Sequence, residues 1–162
     1  MGKCPVPAFT ITSLKSKTSS TLATEQNPLT RASDPIRLCL LDGFLLYPPS
    51  MKPIHPFLDI RLFLRTTYAK AKARREARHG YVTLEGFWTD PPGYVDKIVW
   101  PNYVEEHAYL FEGGDVEGPY REDVLEAEGI KVPKDPEVDG DIEKTLEWAV
   151  NTILEELQLL AL

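Results

Sequence analysis

The sequence has little cysteine, no long apolar run and no apolar segment near Met1 of the kind that directs secretion. Its two cysteines, Cys4 and Cys39, do not stand at a spacing typical of metal ligands or of a disulfide pair. We therefore expect reduced thiols, with Cys39 buried inside a strand. No apolar run approaches the roughly 18 residues that a membrane span requires. These absences predict a cytoplasmic protein that does not cross a membrane.

Motifs for metal binding, nucleophilic catalysis and phosphate binding are also missing. His55, His79 and His107 are scattered without ligand spacing, which does not favour a metal centre or a catalytic triad. The sequence G-x-x-x-x-G-K-[ST], whose backbone amides cradle nucleotide phosphates, does not occur. The 162 residues therefore lack the most familiar device for holding a triphosphate.

The composition is ordinary, but the charge is unevenly distributed. Of 162 residues, 43% are hydrophobic and 27% are charged, as in a single globular domain. Residues 1–80 contain 13 Lys and Arg against 5 Asp and Glu, whereas residues 81–162 contain 5 against 20. The basic half suits a phosphate-bearing ligand, and the acidic half argues against a nucleic-acid interface over the whole surface. The alternative is that these charges only solvate the surface. The oligomeric state is left open.

The order of apolar and polar segments predicts an α/β fold. Residues 1–34 show no periodicity and are expected to form a disordered leader. The continuous apolar run from Ile36 to Leu41 is typical of a strand covered on both faces of a parallel sheet. The remaining predicted elements are a strand over 58–64, a basic helix over 67–79 with Thr66 as its N-cap, a long loop over 80–100, a helix within 94–111, an acidic surface insertion over 112–128, a short strand over 129–133 and an amphipathic helix over 139–160.

Two groups of residues are candidates for chemistry. Asp42 follows the first predicted strand, at the position where α/β proteins place ligands, although an Asp-Gly pair is also a common turn. In the basic helix, Arg74 and Arg78 are four residues apart and share a face, whereas Arg75 is rotated by about 100°. Guanidinium groups on two faces suit two anions, because their planar forks bind phosphoryl oxygens without changing protonation state. A solvated basic face is the alternative.

Four stretches, LLDGFLLY, DIRLFL, KARREAR and DPPGYVDKIVWPNYVEE, resemble the nicotinamide riboside kinases, a branch of the uridine-kinase-like P-loop nucleoside kinases. The resemblance extends from Ile36 to Leu157, and its most specific part is the PPGY-x-D-x-x-VWP-x-Y string. It implies ATP-dependent phosphorylation of the ribose 5′-hydroxyl of nicotinamide riboside for NAD salvage, with ATP and Mg²⁺ required. It also implies small-molecule partners, a nucleoside and ATP. From the charge distribution and the lack of long apolar runs, we expect neither nucleic acid nor membrane as partner.

The resemblance implies roles for individual residues. Arg74 and Arg78 would face the phosphates of ATP, and Arg75 the nucleoside. Tyr81 would correspond to a lid tyrosine near the nucleotide, in a lid over about 74–100. Asp42 would occupy the catalytic position after the strand, where relatives carry Glu or Asp. Residues 35–162 would then be the C-terminal part of a nucleoside kinase domain.

The resemblance covers only the second half of that family. The phosphate loop and the catalytic base of the first half have no counterpart here, so the fold expected is an incomplete, three-layer parallel sheet of the P-loop NTPase type. Two hypotheses follow: a chain belonging to a complete kinase and inactive in this form, or a non-catalytic remnant that binds phosphate ligands or a partner protein. A small phosphate-binding module unrelated to kinases is a third.

Overall fold

The computed structural model describes residues 6–23, 37–78, 80–84, 86–134 and 141–160. None of the helices within these ranges is long and apolar enough to cross a membrane. The described chain divides into two compact units, one drawn from residues 1–41, 60–64 and 130–162, the other from 42–59 and 65–129. The main elements are α1 (Ala8–Leu22), β1 (Arg61–Leu62), α2 (Tyr68–Glu76), β2 (Tyr81–Thr83), β3 (Gly86–Trp88), α3 (Trp100–His107), α4 (Glu122–Glu128), β4 (Ile130–Lys131) and α5 (Ile142–Leu160).

The first unit contains a short parallel sheet. β1 pairs with β4 so that Arg61 lies opposite Ile130 and Leu62 opposite Lys131. The Phe63 N–H extends the ladder by donating to the Lys131 carbonyl at 2.9 Å. Both strands fall inside the segments predicted as strands, and their parallel pairing confirms a mixed α/β architecture, although each strand is only two residues long.

Two helices, α1 and α5, pack against each other in this unit. The Thr10 hydroxyl donates to the Glu143 carboxylate, and Lys17 Nζ donates to Asn151 Oδ1 at 2.7 Å. Because these contacts advance together along both helices, α1 and α5 run in the same direction. Thr10 and Leu14 are buried, and their spacing of four places them on one face of α1. The prediction of a disordered leader is therefore wrong for Ala8–Leu22. Leu14 is the only buried apolar residue in this helix, and one such residue produces no periodic pattern in the sequence.

Among the elements predicted from the sequence, the strand over residues 36–41 departs most from the structure. Residues 37–41 belong to no strand, and residue 36 lies outside the described ranges. Leu40 is 85% exposed, and Cys39 is an exposed free thiol rather than a core residue. A strand buried on both faces needs neighbours that supply backbone partners, and among the described residues of this unit only β1 and β4 form a parallel pair.

The second unit is built around two adjacent, fully buried apolar residues, Leu110 and Phe111. The Arg121 N–H donates to the Leu110 carbonyl at 2.8 Å, and the backbone of Phe111 bridges to that of Tyr120. Val116 and Leu125, from the acidic stretch, are also buried. Residues 112–128 are therefore not a surface insertion as predicted. Their few apolar side chains complete this core, while the numerous acidic ones face solvent.

Helix α2 begins one residue later than predicted. The Thr67 hydroxyl, not that of Thr66, accepts the capping bond from the Lys70 N–H at 3.4 Å. The side chains of Tyr68 and Lys72 then project toward the next helical segment, where both donate to the Asp96 carboxylate, Lys72 at 2.8 Å. This pair of bonds holds α2 against the chain that follows the Pro91-Pro92-Gly93 turn.

The helical segment after that turn contains a proline, Pro101. Val95–Val99 form a π-helical turn, in which the Trp100 N–H donates five residues back to the Val95 carbonyl, and α3 continues through Pro101. Because Pro101 has no N–H, one carbonyl of the preceding turn lacks its usual backbone donor. Close to this junction, Asn102 Nδ2 donates a hydrogen bond to the Ile98 carbonyl at 2.7 Å.

Candidate active site

Between α2 and the Pro91-Pro92-Gly93 turn lies an antiparallel hairpin instead of the long loop predicted for residues 80–100. β2 and β3 pair with Tyr81 opposite Trp88 and Thr83 opposite Gly86. Gly80 precedes the hairpin at φ +102°, and a Cβ there would overlap the Phe87 ring and lie 2.7 Å from the Trp88 carbonyl oxygen. Only glycine fits this backbone position. The hairpin returns the chain toward the end of α2.

The returning chain places Asp90 against Arg75. Arg75 Nε donates to Asp90 Oδ2 at 2.6 Å, and Arg75 Nη2 donates to Oδ1 at 3.3 Å. The Trp88 indole N–H donates to the same Oδ1 at 3.0 Å. Arg75 also lies over the Tyr94 ring, with its guanidinium carbon 5.2 Å from the ring centre. The guanidinium is therefore held on one edge by a carboxylate and on one face by an aromatic ring.

These contacts form the wall of a cavity of about 190 Å³. The end of α2 and the turn that follows the hairpin supply its lining: Arg75, Glu76, Arg78, Gly80, Thr89, Asp90, Pro91, Pro92, Gly93, Tyr94 and Val95. Two guanidinium groups thus converge on one space. Such a cavity has the chemistry to take a ligand with an anionic group.

The geometry of the three arginines differs from the prediction. α2 ends at Glu76, and the Arg78 N–H donates to the Arg75 carbonyl in a final turn beyond it. The prediction placed Arg74 and Arg78 on one helical face, but Arg78 lies beyond the α-helix that carries Arg74 and Arg75. Instead, Arg75 and Arg78 line the same cavity, and the exposed Arg74 is not among its lining residues.

The electrostatics of the cavity are dominated by the Arg75–Asp90 pair. The hydrogen bond from Arg75 holds the pKa of Asp90 below its ordinary value, against the opposing effect of desolvation, and the Trp88 N–H adds to the lowering. Asp90 is thus a carboxylate throughout the physiological range. The side chains of Arg75 and Asp90 are 27% and 18% exposed, so solvent screens the pair only partly.

Asp42, another predicted site residue, is not brought into the cavity, and Tyr81 is described only through its backbone. Asp42 is exposed, does not follow a strand and does not line the cavity. Tyr81 lies in β2, where its backbone pairs with Trp88. Among the described residues no group of three or more His, Cys, Asp or Glu side chains converges, so this part of the chain assembles no protein cage for Mg²⁺.

Three curated proteins are similar to the chain over much of its length. A nicotinamide riboside kinase of Schizosaccharomyces pombe is 42% identical over 121 residues, which are 75% of this chain and 49% of the relative. One of Saccharomyces cerevisiae is 37% identical over 123 residues, 75% of this chain and 48% of the relative. One of Eremothecium gossypii is 47% identical over 87 residues, 54% and 34% respectively. Over this region the chain is a relative of the nicotinamide riboside kinases.

The chain spans about half the length of the curated nicotinamide riboside kinases it matches. No protein-family model matches it, and no solved structure does. The sequence similarity to these kinases confirms the resemblance carried by the KARREAR and DPPGYVDKIVWPNYVEE stretches. These two stretches supply most of the cavity wall.

Asp90, the partner of Arg75 at the cavity wall, was not recognised from the sequence. A signal was present, because residues 80–95 contain only two acids, Glu85 and Asp90, close after an arginine-rich helix. To pair Asp90 with Arg75, however, one must know that the chain between them forms the β2–β3 hairpin. Aromatic rings pack together after the turn: the ring of Trp100 lies 5.3 Å from that of Tyr68 and 5.1 Å from that of Tyr103, centre to centre.

Proposed function

We propose that the cavity at the end of α2 is the nucleoside- and phosphate-handling part of a nicotinamide riboside kinase, an enzyme that transfers a phosphoryl group from ATP to the ribose 5′-hydroxyl of nicotinamide riboside. The observation that carries this proposal is that Arg75 and Arg78 line one cavity together with the DPPGYV stretch. Both stretches belong to the part of the sequence that resembles these kinases.

The two lining arginines suit different tasks. Arg75 is engaged by Asp90 and Tyr94, whereas no carboxylate of the described residues forms an ion pair with Arg78. We assign Arg78 to the phosphates of ATP, since a guanidinium without a direct ion pair to a described carboxylate can stabilise the charge on transferring phosphoryl oxygens; its charge also helps to lower the pKa of Asp90. Arg75, already neutralised, is assigned to the nucleoside. Arg74 is proposed as an outer phosphate contact, and Tyr81 as a lid residue beside the nucleotide.

Asp42 retains the proposed role of a catalytic acidic residue, by its place in the LLDGFLLY stretch. In the described structure it is exposed and outside the cavity, so the role requires a rearrangement of residues 37–43 when the rest of a kinase fold is present. The incomplete, P-loop type parallel sheet is part of the same proposal, and β1 and β4 would be two of its strands.

The proposal is tested by titrating the chain with ATP in a calorimeter. Arg78→Ala should weaken binding by roughly 10- to 150-fold, because a charge-assisted hydrogen bond contributes roughly 1.5–3 kcal/mol. Arg74→Ala should cost less, and Lys70→Ala, which removes an exposed cation of α2 outside the cavity, should have no effect beyond twofold. Binding that is absent, or that Lys70→Ala and Arg78→Ala weaken equally, contradicts an ATP site at this cavity.

The 162 residues contain no glycine-rich phosphate loop, and this observation favours a second candidate function. In that case the chain binds nucleotides or nucleosides without phosphorylating them. ATP binding that depends on Arg78, without turnover, is the outcome expected for such a binding protein.

A further inference from the structure

Residues 37–42, with the sequence RLCLLD, form a continuous exposed stretch without regular secondary structure, which we call the leucine segment. Leu38 is 61% exposed, Leu40 85% and Leu41 57%, and Cys39 between them is exposed too. Among the residues that the structure describes, none forms a hydrogen bond or an ion pair with this segment. Monomeric proteins rarely leave contiguous apolar side chains open to water, and such a surface commonly marks an interaction site.

The two ends of the leucine segment carry opposite charges. Arg37 precedes the leucines and Asp42 follows them, and both side chains are exposed. Neither forms an ion pair with another residue of the described ranges. If two copies of the segment lay side by side in the same direction, like charges would meet at each end and repel. In the antiparallel arrangement an arginine meets an aspartate at both ends, so the segment is complementary to itself in one direction only.

We propose that the leucine segment is a self-association surface, against which the same segment of a second copy of this chain lies antiparallel. The same patch then serves both copies, and the contact closes at a dimer. The leucines of both copies are removed from water, and Arg37 of each copy lies near Asp42 of the other. This inference goes beyond the proposed function and does not rest on it, because no residue of the segment lines the cavity at the end of α2.

The size of the leucine segment sets the kind of dimer that is expected. Six residues from each copy form a smaller contact than the roughly 1,200–2,000 Å² of a stable interface. The association is therefore weak, reversible and dependent on concentration. Burial of the leucines supplies the affinity, whereas the charged ends supply the direction of the contact. These two contributions are tested by separate sets of variants.

The apolar contribution is measured by sedimentation velocity over a range of protein concentrations. Leu40→Asp should raise the dissociation constant of the dimer at least about tenfold, because a carboxylate from each copy would enter the apolar contact. Leu159→Asp is the matched control, since Leu159 is also exposed, at 63%, but lies on α5 outside the segment. Circular dichroism establishes that both variants fold. A wild-type chain that remains monomeric up to about 1 mM, or an equal effect of the two variants, overturns the inference.

Charge reversal tests the direction of the contact. Arg37→Asp alone places two carboxylates at each end, and Asp42→Arg alone places two guanidinium groups there, so each variant should associate about five- to tenfold more weakly than the wild-type chain. The two substitutions change the net charge in opposite directions, so net charge does not explain weakening in both.

An equimolar mixture of the two variants restores an arginine–aspartate pair at both ends of the mixed dimer. Its association should return to within about twofold of the wild-type value. A mixture that associates as weakly as its components, or single variants that associate as tightly as the wild-type chain, overturns the antiparallel contact. Neither outcome bears on the proposed function, which the ATP titration tests separately.

Discussion

His107 is a titratable side chain that the second unit buries almost completely, at 1% exposure. Its Nδ1 lies 3.0 Å from the Tyr103 carbonyl, and since a carbonyl only accepts, Nδ1 carries the proton. The ring stacks on that of Tyr103 at 4.6 Å and meets Phe44 edge-on. Burial lowers the pKa of His107 below 6.5, although the Tyr103 carbonyl and the nearby Glu106 oppose the shift. His107 is therefore a neutral core residue.

This burial predicts a loss of stability in mild acid. Below pH 6.5 the unfolded chain binds a proton at His107 that the folded chain does not, so the free energy of unfolding falls as pH decreases, by at most about 1.4 kcal/mol per pH unit. His107→Asn, which keeps a donor for Tyr103, should be less stable at about pH 7.5 but should lose less on going to about pH 5.5. Urea denaturation at both pH values measures this. Equal losses in the two proteins would show that His107 does not titrate in the core.

At the same scale, Arg75, Arg78 and the aromatic residues around the turn were recognisable from residue type alone. The pairing of Arg75 with Asp90 was not recognisable in this way. Which carboxylate reaches Arg75 depends on the hairpin that separates Asp90 from it by 15 positions. Arg78 lies beyond the end of α2, which stops at Glu76. Helix propensity does not predict this end well, because alanine and arginine both favour continuation of the helix.

Among the elements, the β2–β3 hairpin decides the shape of the cavity, and Gly80 is the residue on which it depends. Gly80→Ala should open the hairpin, because the new Cβ would meet the Phe87 ring and the Trp88 carbonyl oxygen. Gly86→Ala is the control: Gly86 also has positive φ, at +130°, but no heavy atom lies within 4 Å of a Cβ built there. Backbone strain of about 1–3 kcal/mol is common to both variants. Any further destabilisation of the hairpin in Gly80→Ala therefore reports the steric clash.

Hydrogen exchange of the amides of residues 81–88 measures this difference. Exchange should be faster in Gly80→Ala than in Gly86→Ala, and ATP binding should weaken in step with it. Identical exchange in the two variants would mean that the close approach at Gly80 is relieved without cost by movement of the Phe87 ring.

The packing of α1 on α5 is a second feature at this scale, and it depends on few side chains. Leu14 is 8% exposed, whereas Phe9, on the same helix, is 72% exposed. Leu14→Ala should lower the free energy of unfolding by about 2–3 kcal/mol, the lower part of the range for buried leucine, while Phe9→Ala should change it by less than about 0.5 kcal/mol. Chemical denaturation followed by helical circular dichroism measures both. Similar effects of the two variants would indicate that α1 does not pack through Leu14.

α5 itself was the best-predicted element, since its apolar residues recur at steps of three and four and its start is marked by acids. Asp141 accepts hydrogen bonds from the N–H groups of Glu143 and Lys144, as a helix-capping aspartate does. Its partner was not predictable. α1 packs against it, and Lys131 of β4 forms an ion pair with Glu156 of α5 at 2.9 Å.

For the whole molecule, the expected outcome is binding without catalysis. The 162-residue chain, incubated with ATP, Mg²⁺ and nicotinamide riboside, should form no mononucleotide above background, because loss of even one charge-stabilising donor lowers rates by roughly 10²–10³-fold and the whole phosphate loop is missing from the sequence. A full-length nicotinamide riboside kinase of Saccharomyces cerevisiae serves as positive control. Turnover by the chain alone at about 1 per second, a typical kinase rate, would refute this expectation.

The sequence by itself determined the chemistry available: the arginines that follow β1, the acidic second half, the α5 stripe and the stretches shared with the kinases. These are local properties, carried by residue type and spacing. Tertiary structure alone decided that residues 37–41 form no strand, that Val116 and Leu125 belong to a core, and that Asp90 neutralises Arg75. Each of these depends on which distant segment lies alongside, and that choice minimises exposed apolar surface and unpaired polar groups over the whole chain rather than within any one segment.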